Sequence, residues 1–350
     1  MKALRLYGAR DIRYEEAEKP VISSENDVIV KVKVTGICGS DTSRYRKLGP
    51  YIPGMVWGHE FSGEVHKIGS AVQNLKPGDR VTGCPTVFEY KDYFYRKGTV
   101  NLSNGASAIG AKIPGAFAEY IKLPSENFVK IPDSLSYEAA ALIEPSTVAA
   151  HGYYLINITA GDDVVILGAG GSIGLMAVQW AKIFGAKRVF GVDIDDKKLE
   201  IAKKLGVDVA INPLKEKALE VIMNHTGNFG ADVVVEAAGS AVTSAEAFLY
   251  AKKSGSVIYM GIPYSDIKME RVAFEKILRS ELTVKGSWGC TSGPFPGKEW
   301  ENSVHFFANG KIKTEPMISH KLPMSEGPAV FEELMEHKDR YEKVLLYPDR

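Results

Sequence analysis

The run "DVVILGAGGSIGLMAVQWAKIFGA" at residues 163–186 sets an apolar strand, a glycine-rich turn and an apolar-faced helix in immediate succession. A strand apolar on both faces belongs inside a covered sheet. Fed straight into a helix, it makes a parallel one. The pattern repeats downstream: "RVFGVDI" leads into the helix "DDKKLEIAKKLG", and "ADVVVEAAG", "SGSVIYMGI" and "LTVKGSW" read as further strands. Strand–helix alternation of this kind predicts an α/β Rossmann fold, a doubly wound parallel sheet with helices on both faces.

Glycines stand at 168, 170, 171 and 174, and no frame of them gives G-x-G-x-x-G. Gly171 and Gly174 keep the spacing of the second and third fingerprint glycines, which admit a pyrophosphate and pack the helix on the strand. Ala169 holds the first-glycine position, so the turn carries one extra residue, accommodated by Gly168 and Gly170. Asp193 ends the next strand, 19 residues after Gly174, where an acid meets adenosine ribose hydroxyls and disfavours a ribose phosphate. Gly168, Gly170, Gly171, Ser172, Ile173, Gly174 and Asp193 therefore read as an NAD site, with NADP the less favoured alternative. In this frame Gly171→Val weakens NAD binding far more than Gly168→Ala.

Upstream of about residue 135 the sequence has a different grammar. "DVIVKVKVTGICG", "FSGEVHKIG", "GDRVTG" and "AFAEYIKLP" alternate apolar and polar residues between Gly, Pro and Asp, as half-buried strands do. They predict a partly open β-barrel. From about residue 290 the strand–helix repeat stops, which implies that the chain returns to this first domain. The expected division is residues 1–145 with 290–350 as a β-barrel-like domain, and 146–289 as the Rossmann domain inserted into it.

Lysine plus arginine equals aspartate plus glutamate at 43 each, so no net field favours nucleic acid or an anionic membrane. No apolar stretch is long enough for a membrane helix, and the first residues have no signal-peptide core. Cys38, Cys84 and Cys290 are odd in number and far apart, which argues against a disulfide framework and for a cytoplasmic location.

"GICGSD" places Cys38 at a strand end, "WGHEFSG" places His59 and Glu60 in a turn, and "LIEPSTVAAHG" places Glu144 at a helix start. Thiolate, imidazole and carboxylate form the ligand set of catalytic zinc. Each residue also has a plain structural reading: a core cysteine, a solvated turn, a carboxylate in a helix's first turn.

"GICGSD", "GHE", "GDRV", "GAFAEY" and the glycine turn, in this order, resemble the zinc-dependent medium-chain alcohol and polyol dehydrogenases from "MKAL" to "KVLLYP". Glutamate at 144 and the adjacent His-Glu are similar to the sorbitol dehydrogenase branch. "GSWGCTSGPFPGKEW" is similar to members acting on galactitol 1-phosphate. The resemblance implies one catalytic zinc per subunit held by Cys38, His59, Glu60 and Glu144, the two carboxylates binding directly or through water. It implies Ser40 as the proton relay, Glu60 as a catalytic group, Lys198 near the adenosine ribose, and the active site in an interdomain cleft. It implies NAD-linked oxidation of a secondary alcohol on a polyol or polyol phosphate (galactitol 1-phosphate to tagatose 6-phosphate type) by a homodimer or homotetramer. Unphosphorylated polyols such as sorbitol, xylitol or butanediol remain an alternative; a zinc-free quinone reductase and a non-catalytic NAD-binding protein stand behind them. Where most relatives carry four closely spaced cysteines for a structural zinc, this chain has Glu89, Asp92, Tyr95 and Ser103, so a second zinc site is not expected.

Overall fold

In the computed structural model of the chain, residues 1–336 and 341–349 are described. Residues 337–340 and 350, within the C-terminal segment assigned to the first domain, lie outside the described residues. The chain forms two compact units. The first takes Met1–Glu144, Thr291–Gly310 and Met317–Arg350; the second takes Pro145–Cys290 and Lys311–Pro316.

The first unit is built on a seven-stranded sheet. Its order runs Phe128–Lys130, Arg80–Gly83, Glu60–Ile68, Asp27–Gly36, Lys343–Tyr347 and Ile318–Pro323, with Tyr120–Pro124 also paired to Asp27–Gly36. A small sheet of Asp11–Glu16, Lys2–Gly8 and Met55–Val56 adjoins it in the same unit. The alternating residues of these strands fill two cores. One gathers Val28, Val30, Val32, Phe61 and Ile121; the other gathers Leu4, Leu6, Trp57, Phe117 and Phe331. Each such side chain, fully buried, contributes about 1.5–3 kcal/mol. What matters for function is the register: Gly36 pairs with Glu60 and also with Leu345. That pairing brings three distant stretches of chain to one point.

The second unit is a six-stranded, wholly parallel sheet in the order Val209–Ile211, Arg188–Val192, Asp163–Leu167, Ala231–Glu236, Ala251–Tyr259, Thr283–Gly286. In chain order this is 3-2-1-4-5-6, the doubly wound arrangement, which reverses beside Asp163–Leu167. All five residues of that strand are buried, as its unbroken apolar run requires. The helical stretch after Ser136 is two helices, Tyr137–Ala141 and Ile143–Tyr154, broken at Leu142. Among the described residues no helix is long and apolar enough to cross a membrane.

Candidate active site

Cys38 lies two residues beyond the strand Asp27–Gly36, at the N-cap of the helix Gly39–Ser43. Its backbone N–H donates to Asp41 Oδ2 at 2.9 Å, closing the turn. His59 and Glu60 arrive on the neighbouring strand, where the Thr35 hydroxyl donates to the Glu60 carbonyl at 2.7 Å. A Cβ on Gly36 would collide with Glu60 Oε2, so only glycine permits this close approach. The ligand atoms of Cys38, His59 and Glu60 lie within 4.8 Å of one another.

Two residues that the sequence reading missed complete the site. Asp41 is fully buried; its Oδ1 lies 3.6 Å from His59 Nδ1 and has no hydrogen-bond partner among the described residues. At that distance the carboxylate makes no hydrogen bond but places a negative charge behind one ring nitrogen, leaving the other free for a metal. Its signal was present in "GICGSD", but only the helical turn after Cys38 aims it inward. Lys343, also buried, donates to both Glu60 oxygens at 2.9 and 2.8 Å and to the Ile37 carbonyl at 3.0 Å. No local signal marks a lysine so far along the chain.

Glu144 is buried, and its charge acts on both His59 and Lys343 without its oxygens joining the tight cluster. The electrostatics describe a surplus of negative charge. Desolvation opposes a charged His59, but Asp41, Cys38 and Glu144 outweigh it and hold its pKa well above the usual value. Burial pushes the Asp41 carboxyl up, with His59 and the Cys38 amide opposing. Burial likewise opposes the Lys343 ammonium, yet Glu60 and Cys38 raise its pKa. One thiol, one imidazole and several carboxyls facing one ammonium are a donor set suited to a dication. Ser40 lies exposed in the helix that Cys38 caps.

In the second unit the turn after Asp163–Leu167 closes by Gly168 N–H and Ala169 N–H donating to the Val192 carbonyl at 2.8 and 3.1 Å. Gly171 caps the helix Ser172–Ile183, whose first N–H groups are the natural seat for a pyrophosphate. A side chain on Gly171 would meet nothing closer than the Gly168 carbonyl at 3.4 Å, whereas one on Gly174 would collide with that same carbonyl. Gly171 thus leaves space and Gly174 packs helix on turn. The Ser172 hydroxyl is buried and unpartnered among the described residues, and Ile173 is half-buried. Asp193 Oδ2 accepts from Gly170 N–H at 2.9 Å and Oδ1 from Asp195 N–H at 3.1 Å. The Lys198 backbone lies at the start of the helix that Asp195 caps, and Lys198 Cβ crowds Gly170.

One expectation needs correcting. Gly168 is no tolerant spacer: its φ is +79°, and a Cβ there would sit 2.7 Å from Ala238 backbone atoms. Gly168→Ala therefore strains the turn itself, a cost to folding that the expected ranking of NAD binding left out.

Residues 172–309 match the zinc-binding dehydrogenase family, and residues 24–133 match the alcohol dehydrogenase GroES-like domain. Galactitol 1-phosphate 5-dehydrogenase of Escherichia coli K12 is 35% identical over 312 residues, 89% of each chain. The chain belongs to the zinc-binding medium-chain dehydrogenases. Sorbitol dehydrogenase of Bacillus subtilis 168 is 32% identical to this dehydrogenase over 100% of its chain and 98% of its own. The crystal structure of galactitol-1-phosphate dehydrogenase from Escherichia coli superposes with a TM-score of 0.94 at 32% identity, covering 99% of this dehydrogenase and 100% of that chain. The family explains both architectures, a GroES-like catalytic unit and a Rossmann unit, and makes this chain a zinc-type oxidoreductase.

Proposed function

We propose that the enzyme reversibly oxidises a secondary alcohol of a polyol phosphate, of the galactitol 1-phosphate to tagatose 6-phosphate type, with NAD⁺ accepting the hydride. The observation that carries this reading is the Cys38–His59–Glu60 cluster in a chain of this family. Cys38 and His59 serve as metal ligands, with Glu60 and Glu144 as the carboxylates that complete or exchange in the set. Bound there, zinc supplies Lewis acidity that brings a substrate hydroxyl within reach of deprotonation near neutral pH. Asp41 sets a negative charge behind the His59 ring, and Lys343 holds the Glu60 carboxylate at the edge of the cluster. Ser40, exposed beside Cys38, takes the hydroxyl proton and passes it outward. The Gly171, Ser172 and Ile173 amides cradle the pyrophosphate, while Asp193 and Lys198 receive the adenosine ribose. Bound there, NAD⁺ would supply the hydride acceptor for the carbinol carbon, while Ser40 takes the hydroxyl proton, the balance being ketone, NADH and one proton.

The similarity to the Escherichia coli galactitol 1-phosphate enzyme favours the phosphorylated substrate. Similarity to a sorbitol dehydrogenase along the whole chain keeps an unphosphorylated polyol as the second reading. Comparing kcat/KM for galactitol 1-phosphate, sorbitol and 2,3-butanediol with NAD⁺ and NADP⁺ tests both; a preference for sorbitol overturns the first. We also infer a cytoplasmic homodimer or homotetramer. Thr283–Gly286 is an edge strand with all four residues exposed, beside exposed Val272, Phe274 and Leu278. The "GSVIYMGI" strand is internal to the sheet, which leaves "LTVKGSW" as the pairing edge at that end. Sedimentation of the purified enzyme as a monomer would remove this inference.

A further inference from the structure

The helix that Cys38 caps does not stop at Ser43. It passes without a break into a wide turn, Arg44–Leu48, closed by Gly49 N–H donating five residues back to the Arg44 carbonyl at 2.8 Å. Such π-turns recur at functional sites. Its inner face is fixed in the first unit's core. Tyr45 is buried against Phe331 with ring centroids 5.3 Å apart, and its hydroxyl donates to Glu332 at 2.6 Å. Glu332 is itself paired with Arg10.

Three cations lie on this short segment, and one is committed. The Arg44 guanidinium donates to the Gly49 carbonyl at 3.1 Å and stacks on Tyr51, 3.5 Å from the ring centroid. Arg46 and Lys47 are exposed, and among the described residues neither has a carboxylate, carbonyl or ring partner. An unpaired arginine and lysine at consecutive positions leave the helical run in different directions, and their long side chains can close on a dianion from two sides, the guanidinium by its planar fork and the ammonium as a point charge. Seven residues, Gly39 to Tyr45, lie between Cys38 and Arg46, and the helix and wide turn they form rise by at most about 12 Å. A six-carbon chain together with an arginine side chain bridges that span.

We propose that Arg46 and Lys47 are the specificity pair that recognises the phosphate monoester of the substrate; the inference rests on the polyol-phosphate reading above. Arg44 fastens the turn, and Tyr45 anchors it so that the two free cations are presented from a fixed base.

The test is the Arg46→Gln/Lys47→Gln double variant in the zinc-loaded enzyme, with its melting temperature as the folding control. The ratio of kcat/KM for galactitol 1-phosphate to that for sorbitol should fall about tenfold to a hundredfold or more, the loss expected for charge-assisted contacts. Inorganic phosphate should inhibit the wild type competitively, and the variant at least tenfold less well. An unchanged ratio in a wild type that does prefer the phosphate ester overturns the inference and leaves the substrate reading standing. A wild type that uses only unphosphorylated polyols overturns the substrate reading. In that case, phosphate inhibition of sorbitol oxidation that the variant loses supports the pair, and its absence overturns the pair as well.

Discussion

Lys343→Met in the metal-free enzyme is predicted to cost far more than a typical substitution. The ammonium and the Glu60 carboxylate are 3% and 0% exposed, and the ammonium uses all three of its protons on Glu60 and the Ile37 carbonyl. Methionine matches the length of the stem but leaves a carboxylate buried without a counter-charge, which costs about 3–5 kcal/mol. For a 350-residue protein, each kcal/mol moves the melting temperature by about 1.4 °C, so the expected fall is roughly 4–7 °C. Calorimetry of the chelated protein near neutral pH reads it directly. Combining Lys343→Met with Glu60→Leu removes both charges, and should recover most of the loss because an apolar pair has no desolvation to repay. If Lys343→Met melts within about 2 °C of the wild type, or the double variant melts no higher than the single, the buried pair is not the structural element described here.

Four further outcomes are expected. Metal analysis of the purified enzyme should give about one zinc per chain, with activity lost on chelation and restored by zinc; two tightly bound equivalents, or full activity after chelation, would contradict the site assignment. Gly168→Ala should lower the melting temperature of the cofactor-free enzyme, because it forces a Cβ against Ala238 at φ +79°. Gly171→Val should leave that temperature within a few degrees and raise the NAD Kd tenfold or more; the reverse order would show the turn to be framed wrongly. Asp92→Ala should destabilise the segment around Asp92–Asn104 by about 1–2 kcal/mol, seen as faster proteolysis there with zinc content unchanged.

The second unit was legible because its signals are local. An apolar strand, a glycine turn and an acid at the next strand end lie within about thirty residues, and period alone separates strand from helix. The metal cluster was legible only by residue type. Cys38 and His59 come together through the pairing of Gly36 with Glu60, and register is a property of two strands, written in neither. Lys343 was invisible for the same reason: Leu345 pairs with Gly36 from the far end of the chain. The role of Gly168 was misjudged because a motif frame records which positions are glycine. It does not record that the Ala238 backbone presses on one of them.

The segment carrying Glu89, Asp92, Tyr95 and Ser103, where the resemblance leads us to expect no structural zinc, is held by its own side chains. Of these four residues, the last three belong to one hydrogen-bonded unit. Asp92 Oδ1 accepts from Tyr95 N–H at 3.1 Å, Oδ2 accepts from Asn104 N–H at 2.9 Å, and the Ser103 side chain also bonds the carboxylate. The fourth, Glu89, donates its own N–H to the Gly105 carbonyl at 2.9 Å. A carboxylate with several N–H donors thus gathers these chain positions into one turn. Phe88 then closes the base, edge-on to Tyr95 at 4.8 Å and to Phe295 at 5.2 Å, while Gly293 N–H donates to the Gly98 carbonyl at 2.8 Å. The "GPFPG" tract is therefore the packing partner of this loop. Those hydrogen bonds and ring contacts, worth about a kcal/mol each, hold the segment without calling on a metal. The loop's order should consequently be indifferent to chelators, so that removing zinc from this enzyme abolishes its chemistry while leaving the 88–105 segment as resistant to protease as before.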